Sequence, residues 1–222
     1  MPPLLAIVCL GLSGCSLMDD LKKGQTRARE DRATAELRTQ ARAEHAFHRS
    51  LAGWKKTTYR NKALLATATP ENVSIEIALK EQRGLLLVNG AIAMDFPVAS
   101  GKKTHPTPTG SYTIRAKEKD YASNLYGKIY DAAGTIVVED ADTREDAVPE
   151  GGRFEGATMP YWMRLTDSGV GLHVGYVPGR PASHGCIRLK NDTASELFRL
   201  TKIGTPVVIA ETAPALVIVE KR

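Results

Sequence analysis

Cysteines, long apolar runs and aromatic side chains are all scarce in this sequence, and each scarcity excludes a class of fold. Only three of the 222 residues are Cys, and Cys186 alone lies beyond residue 62, so the main part of the chain cannot hold an intrachain disulfide. The apolar run from residue 2 to 12 is too short for a membrane-spanning helix, which needs about 20 residues. Aromatic residues make up 6% of the chain, beside 12 Pro and 19 Gly, which favours a turn-rich β or α+β core over a large helical one.

The basic excess belongs to one end of the chain. The net charge is +5, but residues 15–62 hold 12 Lys and Arg against 6 Asp and Glu, whereas residues 63–222 hold 18 against 19. A nucleic-acid-binding domain would carry its basic excess on the folded face that meets phosphate. We therefore expect no nucleic-acid partner.

The first residues have the pattern of an exported protein. Residues 2–12 have the length of a signal-peptide core, and Leu12-Ser13-Gly14-Cys15 resembles the bacterial lipobox, in which cleavage leaves the Cys as the lipid-modified first residue. We interpret residues 1–14 as a signal peptide and Cys15 as the lipidation site; the alternative is an ordinary cleaved signal with a chance Cys. In similar lipoproteins Asp after the Cys favours the inner membrane. Because Ser16 stands there, we expect a periplasm-facing anchor in the outer membrane of the cell envelope.

Residues 15–71 are predicted to form a helical arm. Between residues 17 and 62 there is no Pro, Ala, Arg, Glu and Gln are abundant, and the charges alternate in sign, as on a solvated helix. Residues 26–51 lack a wide apolar stripe, so we expect this helix to stand clear of the domain. Its simplest role is a spacer that holds the domain off the membrane. Alternatively, its Lys and Arg side chains contact anionic lipid headgroups or cell-wall polymers.

From residue 72 the pattern changes to that of β-strands. Val73, Ile75, Ile77 and Leu79 alternate with polar residues, which is the period of a half-buried strand. Asn89-Gly90 predicts a hairpin of residues 85–88 and 91–94. A helix is predicted to open at residues 190–193 with Asp192 or Thr193 as its cap. Further strands are predicted at 95–99, 110–116, 135–139, 163–166, 171–174, 205–210 and 215–219. The body is thus mainly β with one or two short helices.

Residues 117–159 are interpreted as a long, irregular excursion, because Gly occurs at five positions between 127 and 156. Seven acidic residues between 139 and 155 are accompanied there only by Arg144 and Arg153. Charged loops of this length are often functional. One hypothesis is an acidic rim that attracts a cationic acceptor, and the other is a solvated loop that only maintains solubility.

The strongest chemical pattern places one Cys and two His within 14 residues. His173 lies in Gly171-Leu172-His173-Val174-Gly175, whereas His184 and Cys186 lie in Ser183-His184-Gly185-Cys186-Ile187-Arg188. Three interpretations compete: a metal site, a buried structural Cys, and a thiol nucleophile with its base. Zinc takes three or four protein ligands, usually at other spacings. A strand ending at His173, followed by a turn, would bring its imidazole beside Cys186, where it can take the thiol proton.

These residues resemble the L,D-transpeptidase family with the YkuD-type catalytic domain, whose signature is a His, a loop, and Ser/Thr-His-Gly-Cys followed by an apolar residue and Arg or Asn. Three further stretches are similar: Ala99-Ser100-Gly101 with residues 107–112, residues 159–164, and residues 204–208. The nine residues between His173 and Ser183 are fewer than in the commonest form of the motif. The resemblance implies a β-sandwich-like mixed sheet over residues 72–211, with a lid at 117–159 and a C-terminal tail at 212–222.

The resemblance also implies roles for single residues. Cys186 becomes the nucleophile and His173 the general base and acid, oriented by the Val174 carbonyl. The residues implied for the oxyanion site and for substrate binding are Ser183, His184, Gly185, Arg188, Tyr161 and Trp162. For the two aromatic residues, ordinary core packing is the alternative. No metal or other cofactor is expected.

The chemistry that the resemblance implies is acyl transfer on peptidoglycan. A stem tetrapeptide would form a thioester with the Cys and release D-Ala, and an amine would then resolve the thioester. The acceptor stays open: a second stem peptide in a 3-3 cross-link, the Lys of an outer-membrane lipoprotein, a free D-amino acid, or water, which would make the protein a hydrolase. The alternative from another class is a non-catalytic lipoprotein that tethers the outer membrane to peptidoglycan.

Overall fold

The computed structural model describes residues 14–216, in which a long helix precedes a sheet. The helices are α1 (Gly14–Ser50), α2 (Lys62–Ala66) and α3 (Asn191–Leu200), with a 3-10 turn at Trp54–Lys56. The strands are β1 (Tyr59–Arg60), β2 (Val73–Ala78), β3 (Arg83–Val88), β4 (Ala91–Ala99), β5 (Gly110–Thr113), β6 (Ala116–Tyr130), β7 (Ile136–Asp142), β8 (Arg153–Arg164), β9 (Gly171–Val174), β10 (Ile187–Leu189) and β11 (Pro206–Ala210). The predicted fold class, a mainly β mixed sheet with short helices behind an N-terminal helix, is confirmed.

The sheet has the strand order β5-β11-β2-β3-β4-β10-β9-β8-β6-β7, and β1 pairs with β4 outside this path. The pairs β11–β2 and β10–β9 are parallel. Strand β4 joins the two halves, because Phe96 pairs with β3 whereas Val98 and Ala99 pair with β10. Its side chains are buried there, so β4 forms the centre of the core.

The predicted hairpin is confirmed, because β3 and β4 pair antiparallel around the turn at Asn89-Gly90. The strand predicted at 95–99 is the continuation of β4. Helix α3 begins at Asn191, two residues before the start that a cap at Asp192 requires and three before the start that a cap at Thr193 requires. Lys190 is its N-cap residue, so Asp192 and Thr193 lie inside the first turn instead of capping it.

The prediction that residues 117–159 are irregular is wrong, because most of them belong to β6, β7 and β8. Strand β6 is 15 residues long and pairs antiparallel with both β7 and β8. Gly156 marks a close approach of two strands, because a Cβ there would lie 1.9 Å from the Ser123 carbonyl oxygen. The β6–β8 register shifts between Ala122 and Gly127, beside this contact. These Gly residues therefore serve strand pairing, which a local sequence pattern does not distinguish from a loop.

Helix α1 ends at Ser50, although the helix-favouring composition continues to residue 62, and the chain divides into compact units between Gln40 and Ala41. Ala41 and His45, one turn apart, are both buried. His45 Nε2 lies 2.7 Å from Asp95 Oδ2 on β4. The expectation that the helix stands clear of the domain is therefore wrong for residues 41–50. A small residue and a buried His form this contact face, which an apolar stripe does not reveal.

Two predictions concern the chain ends. Residues 1–13, which hold most of the predicted signal peptide, lie outside the described residues, as do residues 217–222 of the predicted tail. Residues 214–216 are helical, so the strand predicted at 215–219 is wrong at its start, and its other residues lie outside the description. Between residues 14 and 216, no helix combines the length and apolar character needed to cross a membrane.

Candidate active site

The parallel pairing of β9 with β10 brings the predicted nucleophile and base to one cavity. His173 on β9 is in register with Arg188 on β10, and Cys186 directly precedes β10. Both His173 and Cys186 line a cavity of about 540 Å³. Residues of β6, β7 and β8, which belong to the segment predicted as a lid, also line the cavity.

His173 is held as a neutral base. Its Nδ1 lies 2.8 Å from the backbone carbonyl oxygen of Val174. Because a carbonyl oxygen can only accept, Nδ1 carries the proton and Nε2 has a free lone pair. Burial lowers the pKa of His173 to about 4, the hydrogen bond to Val174 acts against this, and the charge of Arg188 adds to it. At neutral pH the imidazole is therefore ready to accept a proton.

Cys186 is half-buried, and its Sγ lies 3.5 Å from the Gly169 carbonyl oxygen. Burial raises the pKa of the thiol, while the backbone of Gly171 and the charge of Arg188 act to lower it. The resting pair is therefore a thiol and a neutral imidazole. Within residues 14–216, no three His, Cys, Asp or Glu side chains converge into a group that could hold a metal ion.

Residues 183–186, hereafter the Cys186 loop, are held by their own hydrogen bonds. Ser183 is buried, and its hydroxyl donates to the Cys186 carbonyl oxygen and accepts from the Gly185 N–H at 3.1 Å. Gly185 has a φ of 111°, a backbone conformation that residues other than Gly rarely adopt. The Ser183 N–H donates to the Ser100 carbonyl oxygen at 3.0 Å. Ser183 therefore fixes the loop from within and ties it to the end of β4.

A second segment, residues 100–107, supports the Cys186 loop from outside. The Lys102 N–H donates to the Ser183 carbonyl oxygen at 2.9 Å. The Thr107 hydroxyl donates to the Gly185 carbonyl oxygen at 2.7 Å and accepts from the Gly101 N–H at 2.8 Å. Together these bonds fix the backbone of the loop directly before Cys186.

His184 is enclosed by side chains from three segments. The Tyr126 ring stacks on it with centroids 4.5 Å apart, and the His105 ring meets it edge-on at 4.8 Å. Its Nε2 lies 2.9 Å from Lys102 Nζ and 3.4 Å from Asp140 Oδ2. His184 lines the same cavity as Cys186. The side chain is therefore fixed in orientation before any substrate binds.

Comparison with known proteins agrees with this geometry. Residues 72–209 match the YkuD family model, described as the L,D-transpeptidase catalytic domain. The chain belongs to this L,D-transpeptidase family. The family predicted from the sequence is thereby confirmed.

Two curated L,D-transpeptidase relatives are distant in sequence and longer than this chain. L,D-transpeptidase 3 of Mycobacterium tuberculosis is 31% identical over 122 residues, which cover 52% of this chain and 38% of the relative. L,D-transpeptidase 1 of the same organism is 30% identical over 131 residues, covering 54% and 43%. The chain therefore spans less than half the length of these two relatives. A solved L,D-transpeptidase from Mycobacterium smegmatis is 23% identical with a TM-score of 0.47, covering 63% of this chain and 58% of its own.

Two aromatic residues that the L,D-transpeptidase resemblance implied for substrate binding do not line the cavity. The Tyr161 ring meets Phe198 of α3 with centroids 5.6 Å apart. Trp162 is buried and stacks on Tyr121 at 4.0 Å. This corrects their expected place at the groove border in favour of the packing alternative. Arg188, by contrast, lines the cavity.

The acidic excess predicted between residues 139 and 155 is partly offset in the folded L,D-transpeptidase domain. A count over a sequence window misses basic residues that the fold brings from other segments. Two such pairs are Glu139 with Lys128 (3.2 Å) and Asp140 with Lys102 (3.7 Å), and within the window Asp142 pairs with Arg144 (2.9 Å between Oδ1 and Nε). The net negative charge that the hypothesis of an acidic rim requires is therefore much reduced.

Four residues near the site have no assigned role from the sequence. Thr107 belongs to a stretch similar to the family, but its contact with Gly185 spans 78 positions. His105, interpreted from the sequence as part of a solvated turn, contacts His184 instead. No local pattern points to Lys102 or Tyr126. Lys102 lies at the site because residues 100–107 bond to the Cys186 loop, and Tyr126 because it stacks on His184 from β6.

Proposed function

We propose that this protein is a peptidoglycan L,D-transpeptidase that works through a thioester at Cys186. The observation that carries the proposal is the shared cavity of the Cys186 thiol and a neutral His173 whose Nδ1–H donates to Val174. The proposed donor is a stem tetrapeptide with diaminopimelate in third place and D-Ala in fourth. Membership of the L,D-transpeptidase family supports this choice of substrate.

In the first step, Sγ of Cys186 attacks the carbonyl carbon of the amide that joins diaminopimelate to D-Ala. Because the thiol pKa is raised and the imidazole pKa is lowered, the proton moves to His173 Nε2 during the attack. The C–N bond then breaks, and His173 returns the proton to the departing amine. The products are a thioester on Cys186 and free D-Ala, with no net change in protons.

Negative charge develops on the carbonyl oxygen during this attack and needs hydrogen-bond donors. The resemblance implied the amides of Gly185 and Cys186 together with His184. The Gly185 N–H donates to Ser183 Oγ, so we assign the amide part of this role to Cys186 and give Ser183 a supporting one. The Arg188 guanidinium, which lines the cavity, offers a partner for a substrate carboxylate.

In the second step, a neutral amine attacks the thioester and the Cys186 thiol is restored. We propose an amine acceptor, and the candidates are a second stem peptide, a lipoprotein Lys and a free D-amino acid. A muropeptide digest with and without the protein, and with Cys186→Ala, identifies the acceptor by mass. New cross-linked or exchanged species are expected. An unchanged digest, with the protein nevertheless bound to sacculi, would favour the tether, and chain-shortened products alone would favour the hydrolase.

We further propose that Cys15 carries a lipid that anchors the protein to the periplasmic face of the outer membrane. Leu12-Ser13-Gly14-Cys15, with Ser16 after it, supports this proposal. Exposed Lys and Arg side chains of α1 would then be available to anionic headgroups or envelope polymers. Labelled palmitate should enter the wild-type protein and be absent from Cys15→Ala; equal labelling of both would refute the anchor.

A further inference from the structure

Lys102 contacts one of the two ring nitrogens of His184. Lys102 Nζ lies 2.9 Å from His184 Nε2, and an ammonium group can only donate. Nε2 must therefore accept, so the neutral ring carries its proton on Nδ1. Asp140 Oδ2, 3.4 Å from the same Nε2, favours the opposite tautomer, in which Nε2–H donates to the carboxylate. The ammonium lies closer and also pairs with Asp140 at 3.7 Å, so its preference prevails.

The Nδ1–H of His184 is left available to a bound molecule. Among the residues that the structure describes, Nδ1 has no hydrogen-bond partner, and it is not one of the fully buried polar atoms without a partner. His184 lines the cavity with Cys186, two residues further along the chain. A neutral N–H donor is therefore carried by a residue that lines the cavity of the nucleophile.

We propose that Lys102 is a positioning residue that keeps His184 as a neutral Nδ1–H donor, and that this N–H binds a carbonyl oxygen of the acyl donor. The inference rests on the proposed transpeptidase function and deepens it. His184 would act as a catalytic residue through direct contact with substrate, whereas Lys102 acts through His184. No local sequence pattern assigns this positioning role to Lys102.

The charges around His184 agree with a neutral ring. Burial lowers the pKa of His184 and Asp140 raises it, while nearby basic groups lower it further. These basic groups are Lys102, His105 and Arg188. Removing Lys102 would leave Asp140 facing Nε2, which reverses the tautomer and raises the pKa of the ring.

The ring is also held in place by the hairpin of β6 and β7. Tyr126 stacks on His184, and the Tyr126 hydroxyl accepts a hydrogen bond from Arg144 at 2.7 Å. The His105 ring contacts the His184 ring edge-on. The orientation of the donor is therefore set in the resting protein, so little ordering is left to do when substrate binds.

The test uses three variants and the rate of acylation by imipenem between pH 5 and 8. Lys102→Met keeps the backbone N–H that holds Ser183 but removes the ammonium. At pH 8 its His184 should donate from Nε2 to Asp140, so acylation should fall by about a hundredfold or more, as after loss of one oxyanion donor. As the pH falls, the ring gains a second proton and Nδ1–H returns, so the rate should recover.

Two matched variants separate this role from a structural one. Lys102→Arg retains a donor to Nε2 and should keep the wild-type pH profile. Lys103→Met makes the same charge change one residue away, at an exposed side chain, and should leave the rate unchanged at every pH. A Lys102→Met profile that runs parallel to the wild type would overturn the proposal, because lost packing does not recover with acid.

A second readout does not depend on activity. Nitrogen-detected NMR of the histidine side chains, assigned with His184→Gln, should show Nδ1 protonated in the wild type and Nε2 protonated in Lys102→Met at pH 8. An Nε2-protonated ring in the wild type would overturn the proposal. If the tautomers are as expected but the wild type is neither acylated by imipenem nor active on a tetrapeptide, the proposed function fails and the substrate role of His184 fails with it.

Discussion

Replacing Thr107 by Val tests whether the Cys186 loop depends on the hydroxyl beneath it. This hydroxyl donates to the Gly185 carbonyl oxygen at 2.7 Å and accepts from the Gly101 N–H at 2.8 Å, and the residue is 6% exposed. Each buried polar group left without its partner costs about 1–3 kcal/mol. We expect the free energy of unfolding to fall by about 3 kcal/mol. At about 2–4 °C per kcal/mol, Tm should fall by about 6–12 °C.

The control is Thr109→Val, which makes the same change at an exposed side chain two residues away. Thermal unfolding by circular dichroism gives Tm, and imipenem acylation at pH 7 reports the state of the loop. Acylation of Thr107→Val should slow even well below its Tm, because the Gly185 carbonyl no longer has a fixed partner. If Thr107→Val has the same Tm as Thr109→Val and is acylated at the wild-type rate, the loop does not depend on this hydroxyl.

Three further predictions follow from the site and the core. Cys186→Ser should remain folded but lose thioester formation, since a Ser hydroxyl is a poorer nucleophile; turnover above about 1% of wild type would contradict the nucleophile. Because the pKa of His173 is lowered to about 4, acylation should stay on its plateau from pH 7 to 5 and fall only as the base is protonated near pH 4; a midpoint near 6.5 would contradict this. Asp95→Asn should lower the free energy of unfolding by about 3–5 kcal/mol in urea titrations, because it breaks a fully buried pair with Arg83. Glu71→Gln, at an exposed pair, should cost less than about 1 kcal/mol, and equal losses would refute the buried pair's importance.

Features that depend on local pattern were predictable from the sequence. The alternation from Val73 gives β2, and Asn89-Gly90 gives the turn between β3 and β4. The proximity of His173 and Cys186 was also predicted, but not its cause: β9 and β10 pair in parallel, so the chain crosses over through residues 175–186 and does not return by a tight turn. Strand β2 and this turn between β3 and β4 depend on contacts between residues close together in the chain, so a local sequence pattern is enough to predict them.

Contacts between distant segments were not predictable in the same way. His45 and Asp95 are 50 positions apart, and each looks like an ordinary solvent-facing residue in its own segment. Lys102 and His184 are 82 positions apart, and their contact depends on the position of the Cys186 loop beside residues 100–107. The β6–β8 pairing was missed because Gly residues that permit close strand approach have the same local signature as loop Gly.

The most direct test of the central claim is the intact mass of the protein after brief incubation with a disaccharide tetrapeptide and no acceptor, quenched with acid. The wild type should gain the mass of the donor less D-Ala, with an equal amount of D-Ala released into solution, and Cys186→Ala should show neither change. Release of D-Ala by Cys186→Ala at the wild-type rate, or release by the wild type with the adduct on any residue other than Cys186, would contradict the claim that Cys186 carries the acyl group.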